Sequence, residues 1–204
     1  MNLWDRYVLP KLIDVAMRGA EVDAMRAEVV PRARGRVLEI GMGSALNLRH
    51  YGPEVTHVIG VEPSAALVAL ARQRIAASAI EVEVLAQSGE RLPLPDRSID
   101  SVVFTWTLCS IPDVYSALRE TFRVLKPRGE VLFAEHGLAP DRNIQRLQRA
   151  VQPLWKSMTG GCHLTRAADR LLEDAGFRVE QLHKGYAPGP KFAAFMYRGF
   201  AVRP

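Results

Sequence analysis

The chain has 204 residues, of which 48% are hydrophobic, and this length suits one domain with a sizeable core. Its net charge of +5 permits attraction to anionic ligands, but the arginines are scattered and no basic run indicates nucleic-acid binding. We expect a soluble, cytoplasmic protein, since no membrane span or secretory signal is recognisable. Two cysteines, Cys109 and Cys162, cannot form a four-cysteine zinc site and are expected to be reduced.

The N-terminal segment places apolar residues at helical spacing, with an interruption at Pro10. This pattern predicts an amphipathic helix. Its apolar side could pack on the core of the domain. It could also lie shallowly in a bilayer, where Arg6, Lys11 and Arg18 would be attracted to anionic lipids. Peripheral membrane contact is therefore an alternative interpretation of this segment.

Strand-like and helix-like segments alternate along the rest of the chain. Strands are predicted at residues 36–40, 57–61, 81–85, 99–105, 130–135, 177–183 and 192–202. Helices are predicted at residues 64–77, 113–125, 142–158 and 165–175, with a Lys-Pro-Arg-Gly break at residues 126–129. The alternation predicts an α/β fold with a mostly parallel, seven-stranded sheet and helices on both faces. The last two strands should pair in antiparallel fashion at one edge, because only a loop separates them.

A glycine turn follows the first predicted strand in the run VLEIGMGSALN, residues 37–47. Gly41 and Gly43 allow backbone angles and close approaches that a side chain would forbid. Ligands of such sheets bind outside the carboxyl ends of the strands, so the turn is placed to hold one. Glu62 ends the second strand 21 residues after Gly41 and could accept both hydroxyls of a ribose. These features favour an adenosine-containing ligand.

The turn departs from the pattern of dinucleotide sites, which have glycine at a third position where this chain has Leu46. Glu39 instead places a carboxylate at the strand end, where it can bind an ammonium group directly or through water. S-adenosylmethionine (SAM) has such an amino-acid tail and no phosphate. We therefore predict SAM rather than NAD, and the alternative is a tight turn without a ligand.

Four stretches of the chain resemble motifs of the class I SAM-dependent methyltransferases, in the branch with ubiquinone and menaquinone C-methyltransferases. They are VLEIGMGSALN, GVEP, SGERLPLPDRSIDSVVFTWTLCSIPD and RVLKPRGEVLFAEH. The resemblance implies a Rossmann-like fold with SAM as cofactor and S-adenosylhomocysteine (SAH) as product. By position it implies a cofactor site of Glu39, Gly41, Gly43, Ala45, Asn47, Glu62, Pro63, Ser88, Gly89, Glu90, Thr105, Trp106 and Thr107.

Within that implied site, Glu39 and the glycines hold the methionine part, Glu62 the ribose, and Pro63 with residues 88–90 the adenine. Residues 105–107 form the wall beside the sulfonium. Two positions depart from the family. Ser88 stands where many relatives have aspartate, and Ala45 replaces a usual third glycine.

The C-terminal half, with EHGLAP and PLWKSMTGGCHLTR, is similar to methyltransferase-like proteins associated with alkyl-thiol methylation in animals. Those animal proteins carry an N-terminal membrane anchor that we do not recognise here. This resemblance implies a small apolar acceptor, with an alkyl thiol or sulfide ahead of a quinone-ring carbon or a phospholipid amine. A non-catalytic SAM-binding module is the alternative from another class.

Methyl transfer from SAM needs alignment and exclusion of water, and it requires no metal. A thiol acceptor reacts as its thiolate, so a nearby base would help. His136, just past the fifth strand, is the candidate base, although a histidine bonded to backbone is an equal alternative. Cys162 and His163 precede a helix that Thr165 could cap, and they either line the pocket or serve structure.

Related enzymes use the N-terminal region as a lid, which would make Trp4 and Tyr7 aromatic walls for the substrate. The loop at residues 185–192, with Tyr186, could form a second lid. We thus expect one domain over residues 1–204. It comprises a helical lid at 1–30, a cofactor-binding core at 31–140 and substrate-side elements at 141–204.

Overall fold

Seven strands form one sheet in the order β3-β2-β1-β4-β5-β7-β6. The computed structural model describes residues 8–204, so the predicted aromatic walls Trp4 and Tyr7 lie outside the described residues. The strands are β1 Gly35–Ile40, β2 Val55–Val61, β3 Glu81–Leu85, β4 Ile99–Thr105, β5 Leu125–His136, β6 Arg178–Tyr186 and β7 Phe195–Val202. Strands β1 to β5 pair in parallel, whereas β7 is antiparallel to both β5 and β6. The predicted mixed sheet is confirmed.

Six α-helices connect or flank the strands. They are α1 Leu9–Ala16, α2 Ala20–Val29, α3 Ala65–Ala76, α4 Val114–Val124, α5 Arg142–Met158 and α6 Ala168–Asp174. Side-chain caps begin two of them, since Ser64 Oγ accepts from the Leu67 amide at 3.4 Å and Asp113 Oδ1 accepts from the Ser116 amide at 3.0 Å. These caps satisfy amides that have no partner within a helix.

Several local predictions need correction. Strand β6 extends to Tyr186, which was predicted in a loop, and β7 begins at Phe195 rather than at residue 192. The predicted helix at residues 165–175 begins only at Ala168, and its N-cap is Ala167, so Thr165 caps nothing. Strand β5 begins at Leu125, five residues earlier than predicted, because Leu125 pairs with Ile99 before the chain bulges out over residues 126–129. The bulge keeps the turn character that its proline and glycine predict, with Arg128 at a φ of 64°.

The core lies on both faces of the sheet, because neighbouring residues of a strand point to opposite faces. Leu38 and Phe104 belong to the cluster that packs with α4 and α6, whereas Val37 and Val103 belong to the cluster that includes Ala71 of α3. All four strand residues are fully buried. Burial on both faces explains why apolar residues are consecutive at 37–38 of β1 and 102–104 of β4 rather than alternating with polar ones.

Helix α1 is fixed to the glycine turn by buried charge. Asp14, which is 4% exposed, pairs with Arg18 and lies 3.1 Å from Nη1 of Arg74 on α3. The same Arg74 nitrogen donates to the Ser44 carbonyl at 2.7 Å. Apolar residues on the other side of the helix are open to solvent, with Val15 67% exposed, but the predicted bilayer contact stays a prediction. Within residues 8–204, every helix is too short or too polar to cross a membrane.

Candidate active site

A cavity of about 1020 Å³ opens at the carboxyl ends of β1 and β4. The chain runs outward from β1 through β2 to β3 and then returns to β4, so the strand order reverses between these neighbours. Parallel sheets bind ligands at such a reversal because the loops on either side diverge. The predicted position of the site is therefore the position of the cavity.

The glycine turn after β1 forms the floor of this cavity. Gly41 has a φ of 74° and Gly43 a φ of 59°, both in the left-handed region that favours glycine. A Cβ at Gly41 would overlap the side chain of Thr107, whereas a Cβ at Gly43 would meet nothing nearer than 4.0 Å. Gly41 is thus required for packing as well as conformation, while Gly43 leaves open space above the turn.

Glu62 braces the turn from the end of β2. Its Oε2 accepts from the Gly43 amide at 2.9 Å, and its Oε1 accepts from the Ser64 amide at 2.8 Å. Burial, which leaves the residue 6% exposed, raises the pKa of this carboxyl, and the two amides oppose the shift. Each oxygen keeps a second lone pair, so the carboxylate can still accept from a ligand hydroxyl.

A buried polar network surrounds Glu39 at the end of β1. Asn47 Nδ2 donates to Glu39 Oε1 at 2.9 Å, and the Tyr51 hydroxyl donates to Oε2 at 2.7 Å. Burial raises the pKa of Glu39 to about 7, although these donors and the Arg26 guanidinium act in the opposite direction. Asn47 Oδ1 is buried without a hydrogen-bond partner among residues 8–204. The pair Glu39 and Asn47 therefore offers acceptors to a positively charged donor.

Arg26 and Tyr51 were missed by the sequence analysis. Arg26 lines the cavity from α2, donates to the Met17 carbonyl at 2.8 Å and has its guanidinium carbon 4.9 Å from the ring centroid of Trp106. No local pattern marks either residue, because both reach Glu39 through tertiary packing.

The remaining predicted cofactor residues divide into two groups. Those that line the cavity are Asn47, Pro63, Ser88, Gly89, Thr105, Trp106 and Thr107. Glu90 does not line it, because its carboxylate accepts from the Asp113 amide at 2.7 Å and from Ser88 Oγ at 3.0 Å. Ala45 does not line it either, since it is 1% exposed and packs in the core with a φ of 63°. The predictions of direct contact for Glu90 and Ala45 are therefore not supported.

The segment after β4 is held by a carboxylate that faces away from the solvent. Glu135 Oε1 accepts from the Thr107 amide at 2.7 Å and from the Leu108 amide at 3.0 Å. Burial raises the pKa of Glu135 to about 7. Glu135 thus positions the wall beside the cavity without lining it.

The predicted base and substrate residues lie elsewhere. His136 does not line the cavity, and its Nε2 lies 3.0 Å from Cys162 Sγ. The His163 amide and Nδ1 both approach the Cys109 carbonyl, at 2.8 and 3.0 Å. Tyr186 donates to Asp141 at the start of α5. None of these contacts places the side chain against the cavity, so a role of His136 as base for a ligand in this cavity is not supported.

Other lining residues come from α1 and from the end of α5, and the sequence analysis did not predict them individually as lining residues. Helix α1 and the turn after it contribute Leu9, Pro10, Ile13, Asp14 and Met17. The end of α5 and the following turn contribute Lys156, Ser157, Thr159, Gly160 and Gly161. Helix α1 lines the cavity, and the lid role predicted for residues 1–30 stays a prediction. Four of the five lining residues from α1 and its turn are apolar, so the part of the cavity next to α1 is largely apolar.

Comparisons with known proteins agree with this geometry. A family model described as a methyltransferase domain matches residues 38–133. Thiol S-methyltransferase TMT1B of Rattus norvegicus is 35% identical over 150 residues, which cover 72% of this chain and 61% of the relative. Phosphatidylethanolamine N-methyltransferase of Cereibacter sphaeroides is 28% identical over 166 residues, 80% of each protein. The chain thus spans about three fifths of the length of the rat relative.

A solved structure also shares the fold. The SAM-dependent methyltransferase of Aquifex aeolicus superposes with a TM-score of 0.67 at 17% identity, covering 96% of this chain and 98% of the other. The chain belongs to the class I SAM-dependent methyltransferases, with their seven-stranded sheet and a cavity at the strand-order reversal.

Proposed function

We propose that this protein transfers a methyl group from SAM to a small apolar acceptor, with an alkyl thiol favoured. The observation that carries the proposal is the buried acceptor pair Glu39 and Asn47, beside a glycine turn braced by Glu62. Asn47 Oδ1 has no partner within the described chain, which fits the ammonium of the methionine tail. Glu62 keeps lone pairs for the ribose hydroxyls.

The cofactor, when bound, supplies an electrophilic methyl group on a sulfonium sulfur. The protein's residues orient the two partners and exclude water, which can supply several kcal/mol of the barrier. Glu39, Asn47 and Glu62 would hold SAM, which would supply its methyl group to the acceptor sulfur by direct displacement from the sulfonium sulfur. An acceptor thiol would first lose its proton to solvent water and would then react as the thiolate.

Room for the acceptor is the second supporting feature. The cavity volume of about 1020 Å³ lies at the upper end of the range for small-molecule sites, about 300–1,000 Å³, so it can hold more than the cofactor. Leu9, Ile13 and Met17 supply an apolar wall. Lys156 is an exposed cation that lines the cavity, and it can favour the thiolate form of an acceptor.

A second candidate acceptor is the amine of phosphatidylethanolamine. It is favoured by the bacterial relative that is named for this activity and matches 80% of both chains. An apolar wall on α1 would suit acyl chains as well as an alkyl thiol. The identity with this relative is lower than with the rat thiol methyltransferase, so we place the amine second.

The test combines binding with a transfer screen. SAM and SAH are titrated calorimetrically, and methyl-labelled SAM is then offered with alkyl thiols, quinols or phosphatidylethanolamine vesicles. We expect SAH binding and label in a volatile methyl sulfide, counted separately from the protein so that methylation of its own two cysteines is not scored. Label in the phospholipid would favour the second candidate. Binding without transfer would favour a non-catalytic SAM-binding module, and no binding would refute the proposal.

A pH dependence of binding follows from the raised pKa of Glu39. Below about pH 7 this carboxyl is mostly protonated and offers the ammonium no charge, so SAH affinity should rise with pH through that value. One proton released on binding predicts a Kd about tenfold weaker at pH 6 than at pH 8. The ligand-free protein should lose stability as the pH rises from 4.5 to about 7, because the unfolded carboxyl ionises first.

Calorimetry at several pH values measures this dependence. Glu39→Gln should bind more weakly at high pH and show little change between pH 6 and 8. Glu135 has a similar pKa but does not line the cavity. Loss of the pH dependence in Glu39→Gln would assign the proton to Glu39 rather than to Glu135. A pH step that persists in Glu39→Gln would assign the proton to another group.

A further inference from the structure

A cluster of two thiols and one imidazole lies behind the wall of the cavity. Cys109 Sγ, Cys162 Sγ and one ring nitrogen of His136 all lie within 4.8 Å of one another. Both cysteines are buried, and neither forms a disulfide. His136 ends β5, whereas the cysteines lie 53 residues apart in two loops, so only the fold brings the three together.

We propose that Cys109, Cys162 and His136 bind one zinc ion. Thiolate and imidazole are the ligands that zinc prefers, and sites with two cysteines and one histidine leave a fourth position for water. Zinc–sulfur and zinc–nitrogen bond lengths of about 2.3 and 2.0 Å imply ligand atoms roughly 3.5–3.8 Å apart in a tetrahedral site. His136 Nε2 and Cys162 Sγ are already 3.0 Å apart, so small side-chain rotations would complete the geometry.

The backbone around the sulfurs is held in place independently of any metal. The His163 amide donates to the Cys109 carbonyl at 2.8 Å, which joins the two cysteine loops directly. Gln152 Nε2 donates to the Cys162 carbonyl at 3.0 Å. Arg166 Nη1 donates to the carbonyls of Leu108 and Ile111, on either side of Cys109, at 2.6 and 2.8 Å. These contacts preorganise both ligands.

Charge and outer hydrogen bonds also fit zinc. Binding releases one proton from each thiol, and two thiolates with one Zn²⁺ form a neutral group that can be buried. Trp155 Nε1 lies 3.2 Å from Cys162 Sγ and can donate to it, as outer-shell donors commonly do to ligating sulfur. Without such a hydrogen-bond donor, an aliphatic environment would not stabilise a thiolate.

The zinc would join two segments that line the cofactor cavity. Ser110 and Ile111, next to Cys109, and Gly160 and Gly161, just before Cys162, all line the cavity. Methyl transfer itself needs no metal, so the role proposed for zinc is to fix this wall. The sequence analysis expected no metal, since methyl transfer requires none and two cysteines cannot form a four-cysteine site, and it did not place the two cysteine loops against the end of β5.

The first test is made on the full chain with reducing agent present. Purified protein, stripped with a chelator and reloaded, should hold about one zinc per chain by elemental analysis after gel filtration. Cobalt(II) in its place should give a thiolate-to-cobalt charge-transfer band and the intense visible bands of a tetrahedral site. Free zinc at about 100 times its Kd should raise the Tm by roughly 5–10 °C.

Variants then assign the ligands. Cys109→Ser, Cys162→Ser and His136→Ala should each lose most of the zinc and the cobalt spectrum, whereas His183→Ala, on exposed β6, should keep both. The cobalt spectrum of the unmutated protein tests the site even if one of the variants fails to fold. Failure of the reduced, unmutated protein to bind zinc or cobalt would overturn the proposal, as would equal metal loss in His183→Ala. A disulfide that forms readily, with zinc unable to prevent it, would also overturn it.

Discussion

Glu62→Ala is expected to weaken SAH binding by about 100-fold or more. The proposed role of Glu62 is to accept two ribose hydroxyls, so its loss would remove two charge-assisted hydrogen bonds, each worth about 1.5 kcal/mol or more. The substitution also leaves the amides of Gly43 and Ser64 without the acceptors they have at 2.9 and 2.8 Å. The turn that should hold the methionine part therefore loses its brace at the same time.

Calorimetry with SAH measures the loss, and circular dichroism with thermal unfolding shows whether the fold persists. Glu81→Ala is the matched control, because the Glu81 side chain is 82% exposed at the start of β3, at the far end of the sheet from the cavity. This variant should bind SAH as the unmutated protein does. Unchanged affinity in Glu62→Ala would contradict the assignment of the ribose to this residue.

A double-mutant cycle separates ribose contact from bracing of the turn. If Glu62 binds the hydroxyls, a 2′-deoxyribose analogue of SAH should bind more weakly to the unmutated protein but lose little further affinity in Glu62→Ala. Losses that simply add would mean that Glu62 acts only through Gly43 and Ser64. Glu62→Gln should fall between the two proteins, since it keeps one acceptor oxygen.

The sequence could place those residues that are fixed by a single strand end, and their binding roles stay predictions. Glu39 and Gly41 follow directly from β1, and Glu62 follows from β2, so the strand pattern alone brings them to one edge of the sheet. Parallel strands whose carboxyl ends meet leave little freedom in where such residues lie. The same reasoning predicted the order of elements and the antiparallel edge.

The parts that sequence could not predict depend on how distant segments dock. Arg26 and Tyr51 approach Glu39 from α2 and from a loop, and nothing in their spacing indicates that contact. His136 was expected in the cavity because it ends a central strand. It turns instead to Cys162, since the loop after α5 closes over that strand end. Packing of this kind is decided by the fit of side chains that are far apart in sequence.

Gly41→Ala and Gly43→Ala should separate the stability of the turn from its ability to bind. Both glycines have positive φ, so an alanine at either position costs about 1–2 kcal/mol of folding free energy from backbone strain alone. At Gly41 the new methyl also overlaps Thr107, within a wall that Glu135 holds rigidly, and such overpacking typically adds about 1–3 kcal/mol. At Gly43 the methyl enters open space.

Denaturant unfolding should therefore show a loss of about 2–5 kcal/mol for Gly41→Ala and about 1–2 kcal/mol for Gly43→Ala. SAH affinity should fall strongly in both variants, because the methyl at Gly43 occupies the space above the turn where the ligand would approach the backbone. Gly185→Ala is the control, since no atom lies within 4 Å of its Cβ and its φ is ordinary for any residue. A Gly43→Ala variant that binds SAH normally would mean that the ligand does not rest on this turn, whatever the stability of the variant.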